Sequence, residues 1–273
     1  MAQSTAEAPV ARRGLSPRQR ARYVRGAQYG VLALALVLVA VMADWDTIAR
    51  AFFDTEIIAA QFPEVITVAL KNTLIYTALG FVFGLGLGLV LALMKLSTVG
   101  PYRWLANLYI EFFRGVPALL VFIALGFGVP LAFNTRLGNY TTVMLALGLV
   151  GAAYIAETLR AGIQAVPKGQ TEAARSLGMS SGRAMVSIVI PQAFRIVLPP
   201  LTNELILLTK DSSLIYLLGL AAGQYELAKF GRDQMNATVS LTPILIAGLC
   251  YLIITVPLGQ VVRRLEARSA KAR

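Results

Sequence analysis

Long apolar segments with almost no charged residues recur along the chain. We count six of them, at 28–43, 73–94, 116–133, 142–156, about 196–222 and 242–262. A helix of about 22 residues is about 33 Å long, which is enough to cross a hydrocarbon core of about 30 Å. No A-x-A cleavage site follows the first segment, so we interpret it as an uncleaved span rather than a signal peptide. The pattern predicts an all-α integral membrane protein with six transmembrane helices.

The composition supports a membrane setting. Of the 273 residues, 57% are hydrophobic and only 14% are charged, and the mean hydropathy is +0.67. An ordinary soluble domain has roughly 25% charged residues, so this chain has more apolar surface than one soluble core can bury. We expect the excess to face lipid.

Missing residue types exclude several kinds of site. The chain has no His, which excludes a His-ligated metal and a Ser-His-Asp triad. Cys250 is the only Cys, so the chain forms neither an internal disulfide nor a Cys-based metal cluster. No Lys directly follows a Gly, and the GxxxxGK[ST] loop that binds ATP phosphates is therefore absent.

The basic residues are distributed unequally between the two sides of the membrane. With six spans both termini lie on one side, and 19 of the 25 Lys and Arg fall in the tails and loops of that side, which include a predicted loop at 95–115. Five fall on the other side, and Lys210 lies inside a span. Because loops rich in Lys and Arg stay in the cytoplasm, both termini are predicted to be cytoplasmic. The same bias accounts for the net charge of +11, so we predict no nucleic-acid partner.

Two features lie near the first two spans. Residues 1–27 form a basic tail, predicted to be disordered over 1–25, whose Arg cluster either sets the topology or binds the headgroups of membrane lipid. Gly80, Gly84 and Gly88 share one face of the second span, and this small-residue stripe predicts close helix packing.

The cytoplasmic segment 157–195 is long for a connection between packed helices. Thr171 is a candidate N-cap of a short helix within it, and Gly178 suits the C-terminal stop of that helix. Either Ser180 or Ser181 caps a second helix that rises into the membrane. We therefore predict a short helix, a sharp turn and a longer helix.

The same segment carries a known motif. Glu172-Ala173-Ala174 is followed after three residues by Gly178 and after nine more by Ile188-Val189-Ile190-Pro191. This spacing resembles the EAA loop of ABC-importer permeases, which reads EAA, three residues, Gly, nine residues and I-x-L-P, with Ile190 in place of the Leu. Three further segments resemble the polar amino-acid uptake branch of that family, at 111–117, 166–171 and 203–214.

The resemblance covers about residues 65–265 and implies the fold of a type I ABC importer. That fold has a core of five transmembrane helices, to which 28–43 adds one extra N-terminal helix. The coupling loop is expected at 163–191 and a cytoplasmic tail at 266–273. The location implied is the bacterial plasma (cytoplasmic) membrane.

The resemblance also implies a function. The chain is expected to be the permease subunit of an ATP-driven importer for a polar amino acid of the glutamate, glutamine or basic type. A dimer of separate ATPase subunits holds ATP and Mg, so this chain is expected to bind no cofactor and to be no enzyme itself. The other partners implied are a second permease copy or paralogue, an extracytoplasmic solute-binding protein and membrane lipid. The residues carried over to the ATPase contact are Glu172, Ala173, Ala174, Leu177 and Gly178.

Span five contains polar groups that lipid does not tolerate. They are Asn203, Glu204, Lys210, Asp211, Ser212 and Ser213. A charged side chain in mid-membrane costs at least about 2.5–3.5 kcal/mol unless it is paired or hydrated. Spacings of seven and eight residues place Asn203, Lys210 and Asp211 on one helix stripe. These groups either bind a zwitterionic amino acid or include a Lys210–Asp211 ion pair that locks helices or gates the pathway.

Two other functional classes are compatible with charges inside the membrane. An ion-coupled secondary amino-acid transporter would also carry them, but no inverted repeat with broken helices is visible. A membrane enzyme would need a catalytic constellation, and no catalytic motif surrounds Glu204 or Asp211.

Residues at the ends of spans carry three further predictions. Glu157 with Arg160, and Glu111 with Arg114, are each predicted to form an ion pair at the membrane interface, with contact to the substrate as the alternative for both pairs. Tyr154 either belongs to an aromatic belt or lines the pathway. The dipeptide Pro199-Pro200 predicts either a kink or the true start of its helix.

Overall fold

The computed structural model describes residues 17–135, 137–220 and 223–271, with side chains up to residue 267. These residues form helices and connecting turns, with no β-strand among them. They belong to two compact units, one that ends at Arg50 and one that begins at Ala51. Most of the predicted tail 1–27 lies outside the described residues.

The first unit contains one long helix and the start of a short one. Helix α1 (Pro17–Met42) has 26 residues, none of them buried, and α2 (Trp45–Phe52) follows it. The described part of α1 includes residues 17–27, which precede the predicted apolar segment. The predicted disorder over 1–25 is therefore wrong for 17–25, which form the first turns of α1.

The second unit contains the other helices. They are α3 (Thr55–Gln61), α4 (Lys71–Leu96), α5 (Gly100–Gly115), α6 (Ala118–Ile123), α7 (Val129–Phe133), α8 (Asn139–Gln164), α9 (Lys168–Ser176), α10 (Ser181–Ala184), α11 (Ile190–Asp211), α12 (Leu227–Thr238) and α13 (Thr242–Lys271). Short π-helical segments at Val65–Leu70, Ala124–Gly128 and Met185–Val189 continue into the helix that follows each of them. The 3-10 helix Ser212–Leu218 extends α11.

Five helical segments are long and apolar enough to cross a membrane, at Pro17–Met42, Val65–Leu96, Asn139–Gln164, Ser181–Leu218 and Thr242–Ala267. A sixth candidate is the pair Gly100–Gly115 and Ala118–Phe133, which is bent by 103° at a short break. With this pair counted as one span, the prediction of six transmembrane helices is confirmed for the described residues.

The prediction of a plain loop over 95–115 is wrong, because most of this segment folds as α5. Ala106 and Ile110 of α5 are buried and lie one helical turn apart. They pack against Leu91 of α4 and Ala153 of α8 in one apolar cluster. The small side chains of the cluster let three helices approach each other, a contact that the local composition of α5 does not reveal.

The fifth span begins earlier than predicted. It runs from Ser181 to Leu218, and Pro199 and Pro200 lie inside α11. Of the two alternatives for these prolines, the start of the helix is therefore excluded.

Helices α4 and α8 form the most extensive helix pair of the second unit. A Cβ added to Gly84 would lie 3.2 Å from the carbonyl oxygen of Gly148, and one added to Gly88 would lie 3.0 Å from that of Ala152. Residues without a side chain allow the two backbones to approach this closely. The predicted packing role of Gly80, Gly84 and Gly88 is confirmed.

We expect Gly88→Ala to destabilise the protein by about 1–3 kcal/mol, because the added methyl group would overpack the contact with α8. Gly86→Ala is the matched control, since it lies on the same helix and its added Cβ would meet no atom within 4 Å. Thermal unfolding of both variants in one detergent measures the difference. Equal melting temperatures would contradict the close α4–α8 approach.

Candidate functional site

One cavity in the second unit lies where the break between α5 and α6 meets α8 and α11. Its volume is about 420 Å³. Its lining residues are Arg114, Gly115, Val116, Pro117, Ala118, Val150, Gly151, Tyr154, Glu204, Leu207, Leu208 and Asp211. Charged side chains are rare between membrane-crossing helices, and where they occur they mark functional sites.

Two carboxylates and one guanidinium line this cavity. Glu204 and Asp211 are half-buried on α11, and their spacing of two helical turns corresponds to about 10 Å along the axis. Arg114 lies near the end of α5, and its guanidinium carbon is 5.5 Å from the ring centre of Tyr154. The cavity therefore presents negative charge from α11 and positive charge from α5.

Of the polar residues predicted to bind substrate, the structure brings Glu204 and Asp211 together in the cavity. Asn203 and Lys210 are exposed and do not line it. None of the ion pairs among the described residues includes Lys210, so the alternative of a Lys210–Asp211 ion pair is not formed in this structure.

The two serines of the predicted set also lie outside the cavity lining. Ser212 is fully buried, and its hydroxyl donates to the Thr209 carbonyl oxygen at 2.7 Å. Ser213 is half-buried. A Ser hydroxyl in a helix commonly donates a hydrogen bond to a carbonyl of the preceding turn, and the hydroxyl of Ser212 does so here.

Arg114 and Tyr154 line the cavity together, although the sequence does not mark them as a pair. The predicted partner of Arg114 was Glu111, but no ion pair between them is formed among the described residues, and Arg114 contacts Tyr154 instead. One feature of the sequence does point to Arg114: Gly115 and Pro117 interrupt a helix directly beside this charged residue. Tyr154 lines the cavity, and its role in a pathway stays a prediction.

A second charged cluster lies where α4 ends beside α8. Glu157 pairs with Arg160 at 2.7 Å and also with the ammonium group of Lys95. The predicted Glu157–Arg160 pair is therefore confirmed, and Lys95 extends it to a second helix. All three side chains are partly exposed, as is usual for charges at the end of a span.

Helix α9 carries the EAA residues and ends in a tight turn. It begins after Pro167, so the prediction that Thr171 caps it is wrong. A proline fixes φ at a helical value and needs no hydrogen-bond donor there, which favours the earlier start. At the other end Gly178 has φ of +86°, and its N–H donates to the Arg175 carbonyl at 2.9 Å. This left-handed glycine cap confirms the predicted stop.

The surface of α9 is mostly free of contacts with the rest of the unit. Glu172, Ala173 and Gly178 are exposed, whereas Ala174 is buried. Leu177 is 85% exposed and lies between Ala173 and Gly178 in sequence. These residues leave a small apolar surface beside an acid. The helical segment that follows begins at Ser181, and Ser180 is its N-cap, so Ser180 is the observed cap of the two predicted.

A buried carboxylate holds the segment that follows the fifth span. Glu226 is fully buried and caps α12 by accepting hydrogen bonds from the N–H groups of Ala228 and Lys229 at 2.5 and 2.7 Å. It also accepts one from the Tyr251 hydroxyl at 2.9 Å. Burial raises the pKa of this carboxyl to about 7, although its hydrogen bonds act in the opposite direction. Nothing in the local sequence distinguishes this Glu from an exposed helix cap.

The same segment is anchored to α4 by polar side chains. The Asn72 amide donates to the carbonyl oxygens of Gly223 and Tyr225 at 2.9 and 3.0 Å. The Tyr76 hydroxyl donates to the Gln224 carbonyl oxygen at 2.8 Å. An irregular segment next to apolar helices needs such partners, because its own backbone groups form no regular ladder.

These observations define a class of protein. A charged cavity at a broken helix, placed among membrane-crossing helices, is typical of proteins that move solutes across the membrane. The described residues contain no group of His, Cys, Asp and Glu that could hold a metal ion. The fold and the cavity are those of a multi-span membrane transport protein.

Comparison with known proteins identifies the family. Residues 84–271 match the family described as "Binding-protein-dependent transport system inner membrane component", and the chain belongs to this family. The arginine transport system permease protein ArtQ of Bacillus subtilis (strain 168) is 36% identical over 212 residues, which cover 77% of this chain and 95% of that protein. The probable glutamine ABC transporter permease protein GlnM of the same strain is 37% identical over 201 residues, covering 74% and 91%.

Solved structures agree with this assignment. One chain of the crystal structure of an amino acid ABC transporter with histidines matches with a TM-score of 0.71 and 33% identity, covering 79% of this chain and 98% of that chain. A chain of a bacterial ABC transporter involved in the import of the acidic polysaccharide alginate matches with a TM-score of 0.62 and 13% identity, covering 89% and 99%. The second likeness concerns the fold alone.

The predicted resemblance to ABC-importer permeases and the predicted type I importer fold are confirmed. The findings support an ABC importer over the alternative of an ion-coupled secondary transporter. The chain is a multi-span membrane component of such a transporter, and its family is not itself catalytic.

Proposed function

We propose that this chain is the permease subunit of an ATP-driven importer for a basic amino acid such as arginine or lysine. The observation that carries this proposal is the cavity that holds two carboxylates and one guanidinium at a broken helix. When all three groups are ionised, the net charge of the cavity complements an amino acid that carries one excess positive charge. Relatives named as amino-acid permeases, one of them for arginine, support the substrate class.

Each charge of a basic amino acid has a complementary group in the cavity. Arg114 suits the α-carboxylate, because a guanidinium and a carboxylate form two parallel hydrogen bonds. Glu204 and Asp211 are two helical turns apart, and the long side chain of arginine or lysine separates its cation from the α-ammonium group. The substrate can thus reach both carboxylates at once. Asn203, Lys210, Ser212 and Ser213 have no contact with it in this arrangement.

The exposed polar residues of α11 require a partner of their own. Lys210 and Asn203 lie within a segment long enough to cross the membrane, and both are exposed in the single chain. Contact of Lys210 with lipid would cost at least about 2.5–3.5 kcal/mol. In our proposal these residues face a second permease copy or paralogue across a hydrated pathway. A solute-binding protein delivers the substrate on the outer side, and both termini are cytoplasmic.

Energy comes from a separate ATPase dimer that holds ATP and Mg. The contact is α9 with its turn, where Ala173 and Leu177 supply an apolar surface and Glu172 reaches a basic group of the ATPase. Ala174 packs inward and supports the helix, and Gly178 forms the turn. A small, partly apolar helix that is exposed on its own chain fits a groove on another protein.

We expect Asp211→Asn to raise the KM for arginine uptake by about 10- to 100-fold, the loss typical of one charge-assisted hydrogen bond. Uptake of labelled arginine into vesicles that contain the whole transporter measures it. Asp233→Asn is the control, because Asp233 is exposed and pairs with Lys229 outside the cavity. An unchanged KM in the Asp211 variant would show that this carboxylate does not contact the substrate.

We expect Glu172→Lys to abolish at least nine-tenths of uptake and of substrate-stimulated ATP hydrolysis, a loss that corresponds to about 1.4 kcal/mol or more at the contact. The chain should remain folded, since Glu172 is exposed. Glu266→Lys is the control, because it makes the same change at an exposed position at the far end of α13. Equal activity of the two variants would contradict the role of α9 in coupling.

A further inference from the structure

Helix α1 carries a stripe of arginines that the proposed import function does not use. Arg18, Arg22 and Arg25 are four and three residues apart and therefore share one helix face, whereas Arg20 lies on the opposite face. All four are exposed, and none takes part in the ion pairs of the described residues. The family match begins at residue 84, so the stripe lies outside it.

Helix α1 gives these arginines no counter-charge of its own. The chain has no acidic residue between Glu7 and Asp44. Three cations along one face repel each other, and an anion placed between them relieves the repulsion. Since α1 supplies no such anion, an anionic group of the membrane surface can take that place.

The length of α1 sets the depth of the stripe in a membrane. The uncharged part Gly26–Met42 is about 17 residues or roughly 26 Å long, slightly less than a hydrocarbon core of about 30 Å. Trp45, whose indole N–H donates to the Ala40 carbonyl oxygen at 2.8 Å, suits the membrane boundary at the other end. The stripe then lies at the level of the lipid headgroups, toward which the arginine side chains extend because helical side chains tilt toward the N-terminus.

We propose that Arg18, Arg22 and Arg25 form a binding site for the phosphate of an anionic phospholipid. The planar guanidinium groups match the phosphate oxygens in paired hydrogen bonds. No residue of α1 is buried, and the three arginines are exposed. A role in setting the membrane topology depends on the number of positive charges and not on the helix face that carries them, so it leaves the alignment of the three arginines unexplained. This inference does not rest on the proposed substrate.

The test removes the same number of charges from the stripe and from its surroundings. The stripe variant is R18Q/R22Q/R25Q, and the control is R12Q/R13Q/R20Q, which has the same net charge. The full-length chain is purified in a mild detergent that contains either phosphatidylglycerol or phosphatidylcholine, and native mass spectrometry measures the bound lipid. We expect wild type and control to prefer phosphatidylglycerol, and the stripe variant to bind it more weakly by on the order of 100-fold.

A second variant protects the test against a change in topology. R18K/R22K/R25K keeps the charges that orient α1 and is expected to bind phosphatidylglycerol about tenfold more weakly than wild type, because Lys lacks the planar fork. Wild-type affinity of this variant would overturn the phosphate site. Equal loss in the stripe variant and the control would also overturn it, since bulk charge would then suffice. Displacement of the lipid by millimolar inorganic phosphate would show that the ligand is a free anion and not a headgroup.

Discussion

The cost of placing a charge in lipid is the constraint on which the rest of this structure depends. Arg114, Glu204 and Asp211 lie on helices that are candidate membrane spans, and the protein gathers them in one cavity. Lys210 directly precedes Asp211 on α11 and is exposed. Each such group costs at least about 2.5–3.5 kcal/mol in contact with lipid. These side chains therefore require contact with water, substrate or another protein.

The remaining architecture holds that cavity in place. The glycine contacts hold α4 against α8, the helix that lines the cavity with Val150, Gly151 and Tyr154. The break at Gly115 to Pro117 lies beside Arg114 in the same lining. The helical segment Ser181–Leu218 has 38 residues and carries Glu204 and Asp211. The short turn at Gly178 joins α9 to the start of this segment. In the proposed function, a push on α9 by the ATPase is therefore transmitted along one continuous helical segment to the two carboxylates.

Much of the fold could be predicted because apolar runs and helix caps are local signals. The spans, the stop at Gly178 and the glycine packing of α4 follow from residues that lie close together in sequence. Helix α5 could not be predicted in this way, because its buried residues Ala106 and Ile110 pack against two other helices that lie elsewhere in the sequence. Thr171 was a plausible cap, but Pro167 starts the helix a turn earlier.

The site was harder to predict, because burial and partners are properties of the whole fold. Glu204 and Asp211 can be recognised in the sequence as charged residues of a membrane-spanning segment. Arg114 and Tyr154 lie on α5 and α8, and only the fold brings them into contact. The hydroxyl of Ser212 donates to the Thr209 carbonyl oxygen, and the sequence does not determine whether it bonds there or faces the cavity. The full burial of Glu226 arises from α12 and α13 around it.

The central claim is that the polar face of α11 borders a pathway shared by two permease chains, and cysteine cross-linking tests it most directly. Replacing Cys250, the only Cys, with Ala leaves no native thiol, and Lys210→Cys then adds one. In membranes that contain the whole transporter, a short bifunctional thiol reagent should join this position to a second permease chain with the same substitution at its corresponding residue. Ile253→Cys, at a residue that is 63% exposed on α13, should not form this product. An assembled transporter in which position 210 stays uncross-linked, or in which position 253 reacts equally well, would contradict the account.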